Sequence, residues 1–217
     1  MRVEKTLTIT AQGDVSVKAT PNRGYAGTTS IYIEVSWAPS PTGLYGVSVQ
    51  FGDGQSTGGQ VPTSPFTCSH TYATVGTFTI TATVNRLSPP GPPGSGTATV
   101  DIRGPMRVDF TVDKNTGPAP LTVLFGVAVS YAFEPFTWVL DYGNGSPQET
   151  GTLPTPSSFT RSHTYANAGT FTAKVTVTDA LGATVVRSEQ ISLGQTGLVV
   201  AAAFTVAGLL GLYFSLR

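Results

Sequence analysis

The chain has 217 residues, a formal net charge of zero and only 11% charged residues, beside 25 glycines and 16 prolines. So few Lys and Arg residues exclude the clustered positive charge that nucleic-acid binding needs to displace counterions. A hydrophobic share of 40% is enough for packed cores in one or two domains, and the single cysteine, Cys68, excludes an intrachain disulfide and a cysteine-based zinc site.

In chain order, residues 5–10 and 14–19 alternate apolar with polar and are expected to be strands around a Gln12-Gly13 turn. Met1 to Gly13 has no apolar core of the kind a secretory signal carries. Pro21 to Gly24 is a turn. Thr29 to Trp37 follows, with Ile31, Ile33, Val35 and Trp37 on one face. Pro39, Pro41 and Gly43 break it. Leu44 to Phe51 is the next strand, turned by Gly52-Asp53-Gly54. Gln55 to Pro65 is expected to be a polar loop before a strand ending at His70. A strand over 77–85 follows, then an exposed proline-rich loop from Ser88 to Gly96, and a closing strand from Thr97 to Arg103. Gly104-Pro105 separates this half from the next. The second half is expected to hold strands over 107–113, 121–130, 136–142, 170–178 and 183–193, with loops at Asn115–Pro120 and from Gly145 to Phe159.

One stretch occurs twice. His70-Thr-Tyr-Ala-Thr-Val-Gly-Thr-Phe-Thr79 returns as His163-Thr-Tyr-Ala-Asn-Ala-Gly-Thr-Phe-Thr172, 93 residues later. That period is one globular domain duplicated, too long for a solenoid unit. Six or seven short strands per copy, with no helical period, imply an all-β fold of two tandem β-sandwiches, residues 1–104 and 105–194. The order of signals resembles the PKD (polycystic kidney disease) domain family, whose members are immunoglobulin-like sandwiches. Copy one carries it in Phe51, Gly52, Asp53, Gly54, His70, Tyr72, Gly76 and Phe78. Copy two carries it in Trp138, Tyr142, Gly143, Asn144, Gly145, His163, Tyr165, Gly169 and Phe171. Copy one has Val49 where the family favours an aromatic, and copy two has Asn144 for the turn aspartate.

These are expected to be structural residues. The glycines permit positive φ in tight turns, and Asp53 and Asn144 bond nearby backbone. Tyr72 and Tyr165 precede the long strand as a tyrosine corner does. His70 and His163 lie a domain apart, so they do not converge on one ion, and each is expected to be a turn histidine bonded to local backbone. Asp53 with Asp14, or Asp113 with Asp141 and Asp179, lack calcium-loop spacing and are expected to be solvated turn carboxylates. No catalytic motif, cofactor fingerprint or metal set is present, so no enzymatic activity is expected. Asn144-Gly145-Ser146 is a glycosylation sequon in a turn the fold already demands. Cys68 is expected to pack as a small apolar group.

Residues 197–216 carry no charge. Twenty residues at 1.5 Å each span about 30 Å, the thickness of a bilayer core, so a single transmembrane helix within 195–217 is expected. Ala203, Ala207 and Gly211 recur every fourth residue and suit close packing of two helices in a homo-oligomer. The resemblance and the anchor imply a membrane-anchored structural or adhesive protein. Its two sandwiches would form a stalk contacting other proteins (itself, coat or surface-layer proteins) or glycans, at a cell surface. The equal alternative is a structural protein of a membrane-containing virion, a capsid-associated protein, a spike base or a membrane-to-coat linker, anchored by its C-terminal helix.

Overall fold

Alternation along the repeated stretch becomes strands with one dry face in the computed structural model, which describes residues 14–38 and 43–195. The first half contains β1 (Val15–Thr20), β2 (Arg23–Tyr25), β3 (Ile31–Trp37), β4 (Leu44–Gln50), β5 (Ser56–Val61), β6 (Phe66–His70), β7 (Gly76–Ser88) and β8 (Gly94–Arg103). The second half contains β9 (Arg107–Val112), β10 (Thr116–Pro118), β11 (Leu121–Ser130), β12 (Phe136–Asp141), β13 (Glu149–Leu153), β14 (Ser158–Tyr165), β15 (Gly169–Thr178) and β16 (Thr184–Gly194). The strand expected over residues 5–10 and the 197–216 segment, with Ala203, Ala207 and Gly211, lie outside the described residues. Among the described residues no helix is long and apolar enough to cross a membrane.

Both halves have the same topology. A three-stranded sheet runs β1-β3-β6 in the first and β9-β11-β14 in the second. A five-stranded sheet runs β2-β8-β7-β4-β5 in the first and β10-β16-β15-β12-β13 in the second. Neighbours pair antiparallel except β2 with β8 and β10 with β16. Each half closes over its own buried cluster. In β7 the inward residues Ile80, Ala82 and Val84 are fully covered, and in β15 so are Ala173, Val175 and Val177. A fully buried Val or Ile side chain contributes about 1.5–3 kcal/mol, so these central strands hold each sandwich together.

The expected loops at 55–65 and before Phe159 each contain a strand, and β2 and β10 add two more, giving eight per half among the described residues where six or seven are expected. All are edge or near-edge strands. β5 buries almost nothing, so no apolar alternation marks it. The proline-rich loop is shorter than expected. β7 runs to Ser88 and β8 starts at Gly94, and Gly91 donates to the Arg86 carbonyl at 3.1 Å inside the hairpin end. Cys68 is half-buried against the first core.

Candidate functional site

The repeated residues assemble into one aromatic ladder per sandwich. Gly52 and Gly143 open the turn after β4 and β12 at φ of 86° and 74°. A Cβ on Gly143 would sit 2.2 Å from the Thr172 carbonyl, so the turn presses directly on β15 and only glycine fits. Gly54 and Gly145 close these turns, also at positive φ. The aromatic residue before each turn, Phe51 or Tyr142, then stacks flat on the histidine, with centroids 3.9 Å apart in both copies. His70 meets Tyr72 edge-on at 4.6 Å, and Tyr72 stacks on Phe78 at 4.3 Å. His163, Tyr165 and Phe171 repeat this at 4.9 and 4.8 Å. Gly76 and Gly169 leave room for Phe78 and Phe171 to fold back over them. Trp138, in β12, stacks on Phe159 at 4.4 Å, with the Arg161 guanidinium 5.1 Å above the Trp138 ring.

The buried Tyr72 hydroxyl donates to the Phe51 carbonyl at 3.0 Å, and Tyr165 donates to the Tyr142 carbonyl at 2.9 Å. Burial, helped by a nearby aspartate charge, pushes each phenol up to about 12. These bonds fix the turn to the start of the long strand across 21 and 23 residues of chain.

The histidines differ from expectation. Each lies in a strand, at the end of β6 or within β14, and bonds a side chain of the turn. His70 Nε2 is 2.7 Å from Asp53 Oδ2, and both side chains are about nine-tenths covered. A carboxylate only accepts, so this Nε2 carries the proton. In the second copy Asn144 Nδ2 lies 2.9 Å from His163 Nε2. An amide nitrogen only donates, so this Nε2 is unprotonated. The twin sites thus hold their rings in opposite hydrogen-bonding states. Burial pushes the Asp53 carboxyl up, but bonds from His70 and the Gln55 N–H, with the His70 charge, hold it below its ordinary range. Burial lowers His163, against a smaller opposing pull from Glu149.

Two of the five carboxylates depart from expectation, while Asp14 and Asp113 are exposed. Asp53 is covered, and Asp179 is buried at 5% exposure. Asp141 takes the Gly143 N–H and the Gln148 amide, and Asp113 takes the Leu124 N–H. Among the described residues no group of His, Cys, Asp and Glu forms a metal site.

Asp179 belongs to the joint between the sandwiches. Its Oδ1 accepts the Leu181 and Ala183 N–H groups at 3.0 and 2.9 Å, closing the turn between β15 and β16. Its Oδ2 accepts the Phe133 N–H and, from the other sandwich, the Tyr25 hydroxyl at the end of β2. Burial, with the bond to Asp179 and its charge, pushes the Tyr25 phenol far above its ordinary value. Tyr131 and Ala132 adopt φ of 60° and 67°, a left-handed pair costing about 1–2 kcal/mol per residue, and this kink projects Phe133 toward the first sandwich. Phe133 is 1% exposed yet contributes to neither core. Its cover is Tyr25, edge-on at 5.6 Å, and the Arg103 and Arg23 guanidinium groups, 4.7 and 5.8 Å from its ring centre. Arg103 also donates to the Ala132 carbonyl at 2.7 Å and to Glu134 at 2.5 Å. Beside this plug a cleft of about 560 Å³ opens between the halves, lined by Val75, Ile102, Met106, Tyr131, Arg107 and Arg187 among others.

The PKD domain family matches residues 108–190, the second sandwich. Among solved structures, the PKD domain of an M14-like peptidase from Thermoplasmatales archaeon SCGC AB-540-F20 is 17% identical, covering 42% of this chain and 94% of its own, with a TM-score of 0.35. The amphioxus IgVJ-C2 molecule is 12% identical, covering 85% and 99%, with a TM-score of 0.40. The Yersinia pseudotuberculosis adhesin InvE is 13% identical, covering 83% and 58%, with a TM-score of 0.31. No curated protein matches the chain.

Proposed function

We propose that this chain is a non-enzymatic structural or adhesive protein whose two sandwiches act as one stiff stalk, anchored to a membrane by residues 197–216. The joint carries the reading. Relative motion is the default between tandem domains. A flexible tether has no use for a strained kink that drives a phenylalanine into its neighbour, or for a buried aspartate shared by both halves. A stalk that must hold a distal surface at fixed distance and angle needs both. The second sandwich stands next to the anchor, and the first is free to contact proteins or glycans through its edges and hairpin ends. The same arrangement serves a cell surface or a virion membrane equally.

The test is fractionation of the full chain expressed with membranes. The proposal expects it in the membrane pellet after alkaline carbonate washing, while a chain ending at 195 is released. A full chain that stays in the supernatant would sink the anchor. Labelling of intact cells at the sandwiches, or co-purification with a coat protein, then separates the two settings.

A further inference from the structure

The second ladder is built around an asparagine where the first has an aspartate. Asn144 is exposed and is followed by Gly145, and of the five asparagines in the chain it alone precedes a glycine. Its Oδ1 accepts two hydrogen bonds, from the Ser146 N–H at 3.2 Å and the Ser146 hydroxyl at 2.7 Å. Its Nδ2 donates to His163 Nε2 at 2.9 Å. We propose that Asn144 is a self-modification site: in the folded protein it converts to aspartate with water as the only co-reactant, and the product pairs with His163 as Asp53 pairs with His70.

The chemistry balances without an added reagent. The backbone nitrogen of Gly145 attacks Cγ of Asn144, forming a five-membered imide. The Cγ–Nδ2 bond breaks and nitrogen leaves as ammonia, taking the proton lost by Gly145. Water then adds at Cγ and breaks the new C–N bond, leaving a carboxyl group on residue 144. The net change is one water in and one ammonia out. Each neighbour suits a step. Gly145 offers an attacking nitrogen with no Cβ crowding it. The two Ser146 donors polarise the Cγ carbonyl and stabilise negative charge as it builds on Oδ1. His163 Nε2, at the departing nitrogen, is placed to relay a proton. The first copy shows that a carboxylate fits this turn against this ring, since Asp53 makes the same side-chain-to-backbone bond two residues on.

The test uses the full chain, held at mildly alkaline pH and sampled by peptide mass mapping. Asn22, Asn85, Asn115 and Asn167 in the same molecule are the internal controls. Asn144 is expected to convert at least about tenfold faster than these four, since only it is followed by an unhindered glycine nitrogen. The chain should also gain an acidic band on isoelectric focusing. Ser146→Ala should slow the conversion several-fold, as loss of the hydroxyl donor to the reacting carbonyl predicts, the backbone N–H remaining. Asn144→Asp, the authentic product, should raise the His163 titration seen by NMR, and aged protein should acquire the same titration. Conversion at Asn144 no faster than at the controls would overturn the proposal. Isoaspartate as the sole product, with His163 titration unmoved, would overturn the ion pair.

Discussion

Tyr25→Phe isolates the joint. The substitution keeps the ring against Phe133 and removes only the hydroxyl that donates to Asp179 across the domain boundary. Asp179 is 5% exposed, so water cannot readily replace the lost donor. A hydrogen bond to a charged group contributes about 1.5–3 kcal/mol net, and the loss should fall in that range. Trp37 and Trp138 are the only tryptophans, one per sandwich. Single-tryptophan variants, Trp138→Phe and Trp37→Phe, therefore report each half separately in urea unfolding. With Tyr25 intact, each half should borrow stability from the other. In Tyr25→Phe the two transitions should separate, and the total should fall by about 1.5–3 kcal/mol. Tyr32→Phe is the control, since Tyr32 is 47% exposed on β3. A total loss below about 0.5 kcal/mol, with unchanged transitions, would mean the hydroxyl makes no net contribution, and the account of the joint would be wrong.

Three further outcomes are expected. Gly143→Ala should destabilise the second sandwich by roughly 2–4 kcal/mol, because it adds a left-handed strain to a clash with Thr172, whereas Gly145→Ala, with nothing within 4 Å, should cost about 1 kcal/mol; thermal unfolding separates them. Tyr165→Phe should cost about 1–3 kcal/mol in the same assay, because the buried Tyr142 carbonyl loses its donor. His163 is lowered in the folded state, so the unfolded chain takes up the proton first; the second sandwich keeps its full stability above the ordinary histidine value of 6.5 and loses it as the pH falls below that. Asp53 is likewise lowered, so its contribution to the first sandwich is present above its ordinary 3.8 and lost only as the pH falls through the folded value. Urea midpoints from pH 7.5 down to 3 should therefore fall first in the Trp138 signal, and a first-sandwich loss beginning near 6.5 would contradict the assignment.

Where a residue faces a core, its position is legible in one dimension. Phe78 to Val84 and Phe171 to Val177 alternate because each strand has one dry and one wet face. The tyrosines and turn glycines recur because the same turn is built twice. Strands β5 and β13 escape this reading because they are edges. Ser56 to Gln60 is exposed throughout, so nothing selects an apolar residue at every second place. The joint escapes for another reason. Tyr25 and Asp179 are 154 residues apart, and their contact depends on how two finished sandwiches meet. An aspartate in a turn reads as solvated unless the partner that buries it is known. The one local hint is Tyr131-Ala132-Phe133, a run of apolar residues in a connection between strands, where polar residues are the rule. The histidines fall between these cases. Their recurrence marks a shared site, and the change from Asp53 to Asn144 carries the information that the two sites differ.

The central claim is that the two sandwiches move as one body. The most direct measurement is a spin-label distance distribution between Ser56→Cys in β5 and Thr150→Cys in β13, both exposed, in a Cys68→Ser background. A stiff joint predicts a single narrow distribution in the unaltered joint, broadening when Tyr25→Phe and Arg103→Ala are combined. A broad distribution with the joint intact would contradict the account.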